Sequence, residues 1–256
     1  MPPGALAIDE NPLILQLLRW ADDALVLGHR LSEWCGRAPT PEEDLALANI
    51  ALDQIGLART LYAEAGARSG HTEDQLAYLR TDRQYRNCLL VEQPNGDFAH
   101  TIVRQLFYSA FADPFWRAAC ASSAAEIAAI AAKAEKESAY HLRHAAEWLI
   151  RLGDGTNESH RRASVALAAL WPFTEELFEA DGADAALIAD GVIPDPAAIR
   201  LPWDSTVGSV LVRATLPRPP AGWMRSGGRR GLHSEQLGLL LAEMQNLQRA
   251  YPGANW

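Results

Sequence analysis

The sequence predicts an all-α protein: an up-down four-helix bundle with additional C-terminal helices and a short irregular or strand-like segment. Three observations predict this. Apolar and small residues recur at helical spacing through four long stretches. Cap and stop signals, rather than hairpin turns, bracket those stretches. Only one run, "VGSVLVRATL", is β-branched enough to read as a strand. At 256 residues and 48% hydrophobic, the chain is long enough to bury a substantial core. The bundle is assigned to residues 1–182, and residues 183–256 to an appendage packed on it.

The first helix spans Pro12 to Gly36, with an inward stripe of Leu17, Ala21, Ala24, Gly28, Leu31 and Cys35. Its acids Asp22, Asp23 and Glu33 fall on the polar side of that stripe. "TPEED" opens the second helix, with Thr40 as N-cap and Glu43 closing a capping box, and the helix runs to about Gly66. Being apolar almost all round, it is expected to be buried on several sides, within the domain or against another chain. A short helix at 73–80 and a loop ending "QPNGD" lead to the third long helix, from Phe98 to Cys120, capped by Asp97. In the fourth, Ser123 and Glu126 form a second capping box and Gly153 is the stop. Its inward stripe is Ile127, Ile130, Ala134, Ser138, His141, Ala145 and Trp148. A fifth helix follows from Glu158 until Pro172 kinks or splits it. Beyond residue 182 come two proline-rich stretches flanking the strand-like run, then a last helix from Ser234 to Tyr251.

Composition excludes several functions. With a net charge of −9 and no clustered basic face, nucleic acid is not an expected partner. No apolar run reaches the roughly 20 residues of a membrane span. The N-terminus lacks the basic start and apolar block of a signal peptide. Three widely spaced cysteines, Cys35, Cys88 and Cys120, point to a reducing cytoplasm. No nucleophile elbow, phosphate loop or dinucleotide fingerprint occurs. The basic "MRSGGRRGLH", which includes residues 225–230, is read first as a flexible solvated loop; the alternative is an anionic partner or the phosphates of a ligand such as coenzyme A. Trp20, Trp34, Trp116 and Trp148 read as core, while Trp203, Trp223 and Trp256 could anchor another subunit.

A long bundle invites a test for a di-iron centre, which needs a glutamate from each of two helices and Glu-x-x-His from each of the other two. No glutamate in the chain has a histidine three residues later, and the sole Asp-x-x-His, Asp97 to His100, sits at a helix start where Asp97 serves as a cap. The nearest fragments are Asp53, followed by Gly56, and Glu137, followed by Tyr140. Both of the chain's lysines, Lys133 and Lys136, lie in the fourth helix. Lys133 is one turn before Glu137 and could supply a cation where a metal would otherwise sit; the alternative is a solvated face and a hydrogen-bonded core histidine. Asp53, Lys133, Glu137 and His141 are thus the degenerate bundle-centre positions, with no metal expected on them. A di-metal carboxylate oxygenase with atypical ligands is the rival reading.

Four stretches carry a family resemblance: "EWCGRAPTPEEDLALANIALDQIGLAR", "EDQLAYLRTDRQYRNCLLVEQPNGDFAHTIVRQL", "KESAYHLRHAAEWLIRLGDGTNESHRR" and "GLHSEQLGLLLAEMQNLQRAYPGANW". They resemble the PaaC family, the C subunits of bacterial phenylacetyl-CoA oxygenase (1,2-epoxidase) complexes. The resemblance implies a ferritin-like bundle acting as non-catalytic structural partner of a homologous di-iron A subunit in phenylacetate degradation. The implied assembly also holds a small B subunit, and a separate reductase with FAD and an iron–sulfur centre draws electrons from NADPH. It implies no catalytic residue and no bound cofactor in this chain. In isolation a homodimer is the alternative assembly.

Overall fold

Asn11 ends the N-terminal coil by accepting the Leu13 N–H at 2.9 Å, and Pro12 supplies a pre-set first helical residue, so α1 (Pro12–Ser32) starts there. The computed structural model describes residues 6–254. After α1 come α2 (Pro41–Ser69), α3 (Glu73–Tyr78), α4 (Leu89–Glu92), α5 (Phe98–Ala119) and α6 (Ala125–Gly153). The chain continues through α7 (Asn157–Leu170), α8 (Gly182–Ala189), α9 (Arg200–Arg213) and α10 (Glu235–Ala250). No strand occurs among the described residues.

The fold is all-α, with α1 packed along α2 and α5 along α6 as two hairpins, and α2 touching α6 where the hairpins meet. Trp20 of α1 holds Phe115 and Trp116 of α5 edge-on at 5.5 and 5.3 Å, and Trp34 donates to Thr101 Oγ1 at 3.0 Å from the other end. These ties set α1 antiparallel to α5. Gly153 ends α6 where a Cβ would lie 2.2 Å from the Ala214 carbonyl oxygen, so only glycine lets the ends of α6 and α9 approach this closely.

The strand-like run is helical. Val207, Val210 and Leu211 are buried at i, i+3 and i+4 in α9, so a 3.6-residue burial pattern overrides the β propensity of its valines. Trp203 in the same helix does not anchor another chain: it is 0% exposed and donates its indole N–H to the Phe107 carbonyl at 2.8 Å. Trp223 is exposed, and Trp256 lies outside the described residues.

Both capping boxes differ from expectation. Thr40 does cap α2, but the Glu43 carboxylate turns to His144 at 2.8 Å instead of back to Thr40. Ser123 is drawn off by the α8 loop, donating its N–H to Gly191 O and its hydroxyl to Asp190 O, so α6 starts at Ala125 without a side-chain cap. The α6 stripe is buried at Ile127, Ala134, Ser138, His141 and Ala145; at its ends burial moves to Ala131 and Leu149, leaving Ile130 and Trp148 half-buried. In α1 the stripe holds through Leu31, but Cys35 lies past the helix and is exposed.

Candidate functional site

Helices α2 and α6 bring all four degenerate positions together. His141 Nε2 lies 3.0 Å from Asp53 Oδ2, and its Nδ1 lies 3.3 Å from Gln54 Nε2. With the Gln54 amide donating to Nδ1, the imidazole donates through Nε2–H to Asp53, so both ring nitrogens are occupied by α2. Lys133 Nζ reaches Glu137 Oε1 at 3.4 Å and would lie 3.9 Å from a Cβ on Gly56, so its ammonium leans over the glycine gap in α2. Burial pushes the Glu137 carboxyl up, Lys133 pulls it down and Asp53 pushes it up again. Lys133 itself is 67% exposed, so it pairs from solvent rather than filling the bundle centre. Near the start of α2, His144 Nε2 meets Glu43 Oε2 at 2.8 Å, a second imidazole–carboxylate tie between the same helices.

From the opposite hairpin, α5 contributes no acid between Asp97 and Asp113. Its buried polar pair at mid-helix is Gln105 donating to Ser109 at 2.9 Å. Among the described residues, no group of three or more His, Cys, Asp or Glu side chains is arranged to hold a metal ion. The two imidazole–carboxylate dyads attach α6 to α2. On the outer side of the same two helices, Leu45 and Leu52 of α2 are each 65% exposed, and Tyr140 of α6 is also exposed.

A second charged centre escaped the sequence reading. Asp22 and Asp23 are buried in α1, not solvated. Asp22 binds the fully buried Arg80 guanidinium, accepts from Tyr62 Oη at 2.5 Å and accepts the Arg86 N–H at 2.7 Å. Burial works against the Arg80 charge, but Asp22 outweighs it and holds Arg80 above its ordinary range. Asp23 receives Arg229 on both oxygens, at 3.0 and 2.7 Å, and the Cys88 N–H at 2.7 Å. Burial pushes the Asp23 carboxyl up, with Arg229 pulling against it.

Arg229 belongs to the basic loop, which is therefore a strap and not a solvated loop. Glu176 accepts the backbone N–H groups of Gly227, Arg229 and Leu89 at 2.9, 3.1 and 2.7 Å. Buried Glu92 accepts from His233 Nδ1 and from the Ser234 N–H, both at 2.7 Å. Gly228 presses so close to the Asn87 carbonyl that a Cβ would sit 2.2 Å from its oxygen. The one sequence signal of this centre is the paired aspartates inside the apolar "WADDALVL".

The family described as phenylacetic acid catabolic protein matches residues 5–256 of the chain. The C subunit of the 1,2-phenylacetyl-CoA epoxidase of Escherichia coli (strain K12) is 48% identical over 247 residues, covering 96% of this chain and 100% of the relative.

Proposed function

The chain belongs to the phenylacetic acid catabolic protein family, and from that premise we propose that it is the non-catalytic structural subunit of a multicomponent phenylacetyl-CoA epoxidase. In this reading it binds and stabilises a di-iron A subunit, alongside a small B subunit, in the cytoplasm. The iron, FAD, iron–sulfur centre and NADPH belong to the rest of the assembly. Among the described residues no helix is long and apolar enough to cross a membrane, in keeping with this reading.

The observation that carries it is the closure of His141. The His141 imidazole, 2% exposed between α2 and α6, spends both nitrogens on Asp53 and Gln54. A bundle freed from holding metals is shaped by packing and surface complementarity alone. The α2–α6 face, with Leu45, Leu52 and Tyr140 exposed beside these ties, is where we place the A subunit. Residues 1–182 supply that face, and residues 183–256 brace the bundle from behind.

Co-expression tests this. The A subunit should copurify with the chain and lose solubility or activity without it. Leu45→Glu with Leu52→Glu should abolish copurification while changing the chain's own stability by less than about 0.5 kcal/mol, as expected for exposed sites. An A subunit that turns over phenylacetyl-CoA at full rate alone would end the scaffold reading. Because Asp53, Glu137 and His141 do gather at one place, the rival oxygenase reading has a direct test as well. About two irons per purified chain, as a di-metal carboxylate site requires, would favour it.

A further inference from the structure

The strap that begins at residue 225 is tied down at two places of different chemistry. Arg229 grips both oxygens of Asp23 with a guanidinium, which keeps its charge through neutral pH. Four residues on, the tie is a histidine. The His233 side chain is 3% exposed, with Nδ1 2.7 Å from Glu92 Oε2 and Nε2 3.0 Å from the Tyr85 carbonyl oxygen.

These partners fix the proton count of the ring. A backbone carbonyl can only accept, so Nε2 carries a hydrogen. At the other nitrogen, the buried Glu92 carboxylate already accepts the Asn87 amide at 2.9 Å and the Ser234 N–H at 2.7 Å. A carboxylate held by donors on both oxygens is ionised, so Nδ1 must donate to it as well. Both ring nitrogens therefore donate, which a neutral imidazole cannot do. Loss of one proton would turn a ring lone pair toward either Glu92 or the Tyr85 carbonyl, with little water to separate them.

The surrounding charges set what that loss releases. Glu92 of α4 and Asp22 of α1 favour the charged ring, and Arg30 of α1 holds the Glu92 carbonyl in place at 3.2 and 2.9 Å. Arg83 reaches the strap itself, at the Gly231 carbonyl, by a bond of 3.4 Å. Ser234 starts α10 as an N-cap without a side-chain cap bond, and its hydroxyl has no partner among the described residues. The first turn of α10 thus depends on the same carboxylate as the ring. Gly231, at φ 75°, gives the chain a pivot between the two ties.

We propose that the strap ends in a proton latch: a His233 imidazolium pins residues 231–234 to Glu92 and Tyr85, and its deprotonation frees this segment and the start of α10 while Arg229 stays anchored. The latch is independent of the scaffold reading, since it uses neither the α2–α6 face nor a partner chain.

Histidine ring ¹H–¹⁵N spectra and amide hydrogen exchange of the full-length chain, followed against pH, test it. His233 should carry hydrogens on both nitrogens and lose one with a midpoint above 6.5. Above pH 6.5, opening at the Ser234 N–H, corrected for intrinsic exchange, should grow by up to about ten-fold per pH unit until the ring has titrated, as release of one proton requires. The Arg229 N–H, held by Glu176, should keep its protection over the same range. His233→Gln should remove the pH dependence at Ser234 and identifies the ring signal. If that variant fails to fold, the exchange series on the unaltered chain decides alone. A neutral His233 ring while Ser234 is still fully protected, Ser234 protection that does not change with pH, or an equal loss of protection at Arg229 would each overturn the proposal.

Discussion

Replacing Arg229 with methionine removes the guanidinium and keeps most of the apolar stem. Four hydrogen bonds disappear: two to Asp23, at 3.0 and 2.7 Å, and those to the Arg19 and Arg86 carbonyls, at 3.3 and 3.0 Å. Asp23 then keeps only the Cys88 N–H while buried. Removing one partner of a buried pair costs about 3–5 kcal/mol. At about 2–4 °C per kcal/mol for a chain of this size, Tm should fall by about 6–20 °C. Thermal and urea unfolding followed by circular dichroism measure it. The pH dependence gives a second signature. Without Arg229 the Asp23 carboxyl, already pushed up by burial, rises further, so the native state holds a proton that the unfolded state has lost. Where the native state binds more protons, stability falls as pH rises, so the deficit should be smaller near pH 5 than near pH 8. Adding Asp23→Asn should recover part of the loss, because no charge is then stranded. A loss below about 1 kcal/mol, the level of an exposed pair, or a deficit that grows toward acid pH, would refute the argument.

Burial alone would lower the His233 pKa, but the hydrogen bond and charge of Glu92 outweigh it and raise it above 6.5. The stability from this pair is full below pH 6.5 and lost as pH rises through the raised value, so His233→Gln should flatten the fall in urea midpoint between about pH 6 and pH 9. Gly228→Ala should cost at least the roughly 1–3 kcal/mol of overpacking, since the blocking atom is backbone. Gly182→Ala, which meets nothing within 4 Å, is its control and should leave the urea midpoint nearly unchanged. Lys133→Ala should change stability by no more than about 0.5 kcal/mol, because an exposed pair is worth little; a larger loss in urea unfolding would mean the ammonium neutralises the cluster from within.

What the sequence disclosed was local. Thr40, Asp97 and the α6 stripe could be read because a cap or a helical face is set by residues within a few positions of each other. Asp53, Lys133, Glu137 and His141 could be grouped because bundle helices meet face to face. What stayed hidden depended on distant partners. Asp22 and Asp23 sit beside the expected stripe, and only Arg80 and Arg229, 58 and 206 residues on, turn that polar edge into interior. The strand-like reading of α9 failed because valine propensity is weaker than the burial its neighbours impose on Val207 and Val210. Glu43 looked like half of a capping box because His144, its actual partner, is 101 residues away.

The strap also sets an order of events during synthesis. Asp23, Glu92 and Glu176 are all made before Arg229, His233 and the backbone amides of Gly227 and Arg229 that neutralise or cap them. Until those later residues arrive, Asp23 and Glu92 lack the cations that pair with them in the finished interior, and the helices around them cannot close without stranding charge. The interior therefore closes only once residues 227–234 are in place, and a chain cut before Arg229 should be cleared by proteases rather than persist as a stable fragment.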